Sequence, residues 1–161
     1  MRRLTIALSV AVALGAQTAA LAQAKTDFSG TWRLNQAKSS RDAVGNTPDI
    51  PFASQLDVKQ TPTEIAVTST SVRQQPVSAT YKLDGSTVSV QAPEGITETG
   101  AAKVDGSTLV ITSHRSFPSP AGDVVVDFKE VWSVSGNVLT VEKTRTQSGE
   151  SSTKQAVYDK L

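Results

Sequence analysis

Turn residues recur about every ten positions from residue 54 to the end of the chain, and the stretches between them are rich in Val, Ile and Thr. Branching at Cβ stiffens these side chains and suits them to a pleated surface rather than a helix. Connections this short also make sequence neighbours antiparallel neighbours in space. The pattern predicts strands near 29–35, 54–60, 64–72, 76–83, 86–91, 96–104, 108–117, 123–134, 138–146 and 151–160. An all-β, up-and-down antiparallel meander of about eight to ten strands follows, closed into a barrel. Asp84-Gly85 and Asp105-Gly106 are expected to supply the positive φ of type I′ hairpins, and Ser135-Gly136-Asn137 and Ser148-Gly149-Glu150 act similarly. The one long connection is 36–53. It is expected to hold a short helix over Gln36–Val44 and then a coil with Pro48 and Pro51, lying across one barrel end.

Residues 1–24 have the form of a cleaved secretory signal. Arg2 and Arg3 make a basic start, Leu4 to Ala16 is an apolar run too short to span a bilayer, and Ala20-Leu21-Ala22 and Ala22-Gln23-Ala24 are both small-x-small cleavage sites. The flanks favour export of an unfolded chain over twin-arginine export, and the protein is expected to be periplasmic or secreted. Residues 25–161 then form one domain with a single core. Loss of Arg2 and Arg3 from the 16 basic residues leaves 14 against 15 acidic ones, so charge gives no reason for nucleic-acid or anionic-membrane binding. The chain has no cysteine. Disulfides, thiolate metal sites, Cys nucleophiles and a lipid-modified N-terminal Cys are therefore all excluded. No cofactor and no metal is called for.

Alternate residues of a strand share a face. Trp32 and Leu34 set the inner face of the first strand. Val77, Ala79, Tyr81 and Leu83 share one face; so do Leu109, Ile111, Ser113, Arg115 and Phe117; so do Phe128, Glu130, Trp132 and Val134; and so do Leu139, Val141, Lys143 and Arg145. Each inner face is thus apolar over one half and brings in charge over the other. A lone charge inside a barrel is costly, so Glu130 is expected to pair with Arg145 or Lys143. A turn at Ser135-Gly136-Asn137 places Glu130 opposite residue 142 and Arg145 opposite Asp127, which makes that pairing diagonal.

Phe28-Ser29-Gly30-Thr31-Trp32-Arg33-Leu34-Asn35, with Lys38-Ser39 just after it, resembles the opening of secreted bacterial lipocalin-like proteins of the calycin type. Asp105-Gly106-Ser107-Thr108-Leu109-Val110-Ile111, Lys129-Glu130-Val131-Trp132-Ser133-Val134, Leu139-Thr140-Val141 and Val157-Tyr158-Asp159-Lys160 extend the resemblance in order over most of the chain. It implies a lipocalin-like barrel in which Gly30 and Trp32 close the base. It also implies a basic residue from a late strand on the Trp32 ring, with Arg145 or Lys143 as the candidates.

The function expected is binding or carriage of a small hydrophobic or amphipathic molecule in the barrel interior by Tyr81, Phe128, Glu130, Trp132 and Arg145. The alternative is a non-catalytic envelope structural or interaction protein with a side-chain-filled barrel. Catalysis is not expected. His114 is the only histidine and falls on the solvent face of its strand, no nucleophile elbow is present, and Glu94, Glu98, Asp105, Asp123 and Asp127 are assigned to turns or outer faces.

Overall fold

The computed structural model describes residues 26–40, 52–72, 74–92 and 94–161. The expected signal at 1–24 and residues 41–51 of the long connection lie outside them.

Ten antiparallel strands form one sheet: β1 (Gly30–Leu34), β2 (Gln55–Gln60), β3 (Glu64–Ser71), β4 (Gln74–Lys82), β5 (Val88–Ser89), β6 (Thr97–Asp105), β7 (Thr108–Phe117), β8 (Val124–Ser135), β9 (Val138–Gln147) and β10 (Glu150–Lys160). The ladder runs β4-β3-β2-β1-β10-β9-β8-β7-β6-β5. It is the expected meander, wrapped round so that the last strand pairs with the first. All ten strands fall where the turn spacing puts them, although β5 shrinks to two residues. The one break in the ladder lies between β4 and β5. There the wall is joined at the base, where Asp84 bridges Lys103 and the Gly85 N–H donates to the Ala102 carbonyl at 3.0 Å. Gln36–Lys38, expected to begin a helix, form a turn instead.

The β6–β7 and β8–β9 hairpins turn differently from expectation. Asp105 pairs with Thr108, and Ser135 with Val138, so the loops are Gly106-Ser107 and Gly136-Asn137. Glycine holds the positive φ at the first loop position and its follower does not, which is the type II′ form rather than I′. A two-residue turn at 136–137 also moves the β8–β9 register by one from the predicted one.

The core fills one end of the barrel. Trp32, Ile65, Leu109, Leu139, Ala156 and Tyr158 are buried there with Phe28, which caps the base just before β1. The Trp32 indole N–H donates to the Phe28 carbonyl at 3.0 Å. Lys160 lies opposite Trp32 in the β1–β10 ladder, with its Nζ 5.1 Å from the Trp32 ring centroid. Neither Arg145 nor Lys143 reaches that ring, because both lie on the half of β9 that runs away from the base. Gly30 makes room for the lysine stem. A Cβ at residue 30 would stand 2.6 Å from Lys160 Cε, and its φ of 141° is one that L side chains rarely adopt.

The segment after β1 is tied to the same strand. Ser39 Oγ donates to the Asn35 carbonyl at 2.7 Å and accepts from the Val157 N–H at 2.9 Å, while Lys38 Nζ stands 3.1 Å from Asp159 Oδ1. The Asn35, Lys38, Ser39 cluster and the Val157–Lys160 stretch, far apart in the chain, are thus two halves of one fastening.

Replacing Lys160 with Met keeps the stem and removes the cation. It is expected to cost about 0.5–2 kcal/mol in urea denaturation, and a Trp32→Leu background should abolish most of that loss. Hydrogen bonds from Gln55 and Thr31 hold the Asp57 carboxyl below its usual range, and those from Asn35 and Lys38 do the same for Asp159. A depressed carboxylate contributes stability above its unfolded pKa of about 3.9, and that contribution disappears as pH falls through the folded value. Asp57→Asn should therefore be less stable than the parent at neutral pH, with the difference shrinking as the pH of the denaturation is lowered into the carboxylate range.

Candidate functional site

Above the filled base the inner faces turn polar. This end is bounded by the β3–β4 turn, the β5–β6 and β7–β8 loops and the β9–β10 turn. Glu130 and Lys143 are directly opposite in the β8–β9 ladder, with Nζ 2.9 Å from Oε1. The other oxygen, Oε2, accepts the Trp132 indole N–H at 2.8 Å. Glu130 thus pairs with Lys143, as the sequence allowed, but straight across the ladder and not diagonally. Arg145 lies opposite Phe128, where Asp127 was expected, and donates to the Gln147 amide oxygen.

A second pair escaped the sequence reading. Glu98, assigned there to a turn or outer face, points inward from β6 with its side chain only 10% exposed. Its Oε2 accepts from Arg115 Nε at 2.9 Å and Nη2 at 2.7 Å. The signal was present, because Glu98 alternates with Gly100, Ala102 and Val104, whose face is the inner one. Phe128 lies between the two ion pairs, with Lys143 Nζ 4.9 Å and Arg115 Cζ 5.7 Å from its ring centroid. Such cation–ring contacts strengthen as water is excluded.

Tyr81 reaches across the β4–β5 break to β6. A Cβ at Gly100 would stand 2.7 Å from Tyr81 Cε1, so the ring occupies the space that the missing side chain leaves. Burial, and then the charges of Glu130 and Glu98, push the Tyr81 hydroxyl above its usual pKa, so it stays neutral as a hydrogen-bonding group. Trp132, 2% exposed, belongs to the core and forms a floor below Glu130.

The structure therefore brings Tyr81, Phe128, Glu130 and Arg145 to one region of the interior, above Trp132. Water reaches it. Val77, on the same face of β4 as Ala79 and Tyr81, is 39% exposed, and the inward Ser69, Ser113, Lys143 and Arg145 are only partly covered. The outer surface differs. His114 is exposed there as expected, with Nδ1 2.7 Å from Asp127 Oδ1. A shallow hollow of about 350 Å³ beside it is lined by Thr99, Thr112, Thr146, Asp127 and Lys129 among others. No cluster of His, Asp or Glu suited to a metal ion occurs among the described residues.

The architecture is an up-and-down antiparallel β-barrel with a packed base and a charged, partly covered upper interior. Among solved structures, the chain is similar to the zebrafish ileal bile acid-binding protein in complex with cholic acid, at a TM-score of 0.56 and 15% identity, covering 83% of this chain and 98% of that one. It is also similar to secretory abundant heat soluble protein 4 of Ramazzottius varieornatus, at 0.55 and 14%, over 83% and 94% of the two chains. The fluorescent protein UnaG gives 0.54 and 15%, over 83% and 97%. No family model and no curated protein matches the chain.

Replacing Glu130 with Gln would leave Lys143 half-buried without its carboxylate. A stability loss of about 1–3 kcal/mol is expected, measured by urea denaturation at neutral pH. The loss should be larger than that for Asp127→Asn, whose partner His114 is in open solvent.

Proposed function

We propose that this protein is an exported, non-catalytic barrel that binds a small hydrophobic or amphipathic molecule in the upper half of its interior. The observation that carries this reading is the contrast between the two halves. Trp32, Trp132 and Leu139 fill the base almost without exposure, whereas on the same inner faces Val77 is exposed and the charged groups around Phe128 are only partly covered. A barrel that only had to fill itself would continue its apolar layers upward. An apolar wall with a few convergent polar groups is the usual make-up of a ligand site. Tyr81 and Phe128 supply the wall, Trp132 the floor, and Glu130 and Arg145 the polar groups. The similarity to a barrel solved with cholic acid supports the same reading.

Export follows from the form of residues 1–24, and the expected location is the periplasm or the exterior. The absence of a catalytic role rests on the outward position of His114, the only histidine.

Native mass spectrometry of the protein, purified gently from cells that express the full chain, tests both parts. The expected result is a polypeptide that starts near residue 25 and carries extra mass lost on denaturation, with less of that mass in Phe128→Ala. A bare chain that takes up nothing from a panel of lipids, haem and fluorescent apolar probes would overturn the binding reading. It would favour a barrel that works through its outer surface.

A further inference from the structure

We propose that the Tyr81 hydroxyl is the group that recognises the ligand of the upper interior, and that this ligand is an uncharged, largely apolar molecule with a hydrogen-bond-accepting carbonyl oxygen. This rests on the interior reading above and narrows it to one ligand chemistry.

The chain has two tryptophans and two tyrosines. Three of their polar ends are used: the Trp32 indole donates to the Phe28 carbonyl, the Trp132 indole to Glu130, and the Tyr158 hydroxyl to the Ala53 carbonyl at 3.0 Å. Tyr81 differs. It is 7% exposed, and its hydroxyl has no hydrogen-bond partner among the described residues. Packing holds it so. The ring lies over Gly100, where a Cβ would stand 2.7 Å from Tyr81 Cε1, and Val90 Cγ2 is 3.5 Å from the same point. No side-chain nitrogen or oxygen that is fully sealed from solvent lacks a partner among the described residues, so the Tyr81 hydroxyl touches open space. Tyr81 shares its inner face with Val77 and Ala79, and the inward Glu130, Glu98 and Arg115 act on its hydroxyl electrostatically. The space it touches is therefore the upper interior.

An unmade donor on a largely buried group is costly, and an acceptor oxygen brought by a ligand relieves the cost. The neutral phenol has one proton to offer it. The ion pairs set the charge of that ligand. Glu98 already holds Arg115, and Glu130 holds Lys143 and the Trp132 indole. An anion at the Tyr81 hydroxyl would stand beside those two carboxylates, and a cation would have to displace Arg115 or Lys143. Either would give up its hydration for little return. A neutral carbonyl supplies the acceptor without that cost. Ala79, Val88 and Val90, packed against the core on the β4 and β5 side, offer apolar surface for the rest of the molecule.

Heptyl methyl ketone, octanoate and the ketone's methylene analogue, in which a methylene replaces the oxygen, share one chain and one head shape. Equilibrium dialysis at neutral pH, with gas chromatography of the extracted compartments, compares them on the protein as purified from cells expressing the full chain. The ketone is expected to bind more tightly than octanoate. Tyr81→Phe removes only the hydroxyl. It should weaken the ketone about three- to tenfold and leave the methylene analogue as tight or tighter. Without ligand, the same variant should unfold at the urea concentration of the parent or a higher one, because no hydrogen bond of the free protein is lost.

Octanoate binding more tightly than the ketone to the native protein would overturn the uncharged ligand while leaving an interior site intact. An unchanged ketone affinity in Tyr81→Phe would do the same for the role of the hydroxyl. A lowered urea midpoint in ligand-free Tyr81→Phe would give the hydroxyl a structural task and overturn the inference as well. Binding of none of the three would overturn both this inference and the interior site on which it rests.

Discussion

The pairing of the first strand with the last is the contact on which the barrel depends. Every other ladder joins strands adjacent in sequence, but β1 and β10 are separated by almost the whole folded chain. Bringing them together costs loop-closure entropy that no short-range contact offsets in advance. The chain concentrates side-chain contacts at this junction. Lys160 lies over Trp32, Gly30 leaves room for its stem, the Trp32 indole is held by Phe28, and Asn35, Lys38 and Ser39 grip Val157 and Asp159. With the seam fixed, the β10 face that carries Ala156 and Tyr158 has an opposing wall, and the core can fill.

The upper interior obeys a different rule. Charge is admitted there, but Glu98, Arg115, Glu130 and Lys143 appear as two opposed pairs across adjacent strands. Ion pairs at this depth add little net stability compared with apolar packing. What they do is fix the positions of long, otherwise mobile side chains around Phe128. Glu130 illustrates this, because its two oxygens tie a lysine of β9 and the Trp132 ring of the floor to a single carboxylate. Arg145 differs from these four: its partner among the described residues is the neutral Gln147 amide.

Fold was legible because it is written in local signals. The alternation of Phe128, Glu130, Trp132 and Val134, and the turn residues between segments, place each strand and its inner face without knowledge of any partner. What failed was pairing. A turn of two residues rather than three at Gly136-Asn137 shifts the whole β8–β9 register by one, and so sets Arg145 against Phe128 instead of Asp127. Glu98 is missed for a different reason. The predicted strand over 96–104 contains it, but its neighbours on that face, Gly100 and Ala102, are too small to mark the face as the inner one. Lys160 had no local mark at all. Its partner lies at the opposite end of the chain, and a terminal lysine looks like any solvated charge until β10 is known to lie against β1.

The break between β4 and β5 leaves two sheet edges that another chain could in principle extend, since unpaired N–H and C=O groups along an edge are a template for further strands. Both edges are poor templates. β5 offers two residues, too few to hold a guest strand. β4 is longer, but its register against β3 slips between Ser69 and Ser71, so that Gln75 and Pro76 oppose Thr70 alone. Such a bulge bends the strand, and the proline removes a donor where a guest would need one. The chain therefore keeps an unzipped wall without inviting its own copies to stack there, and with no cysteine in the sequence no disulfide can join two copies.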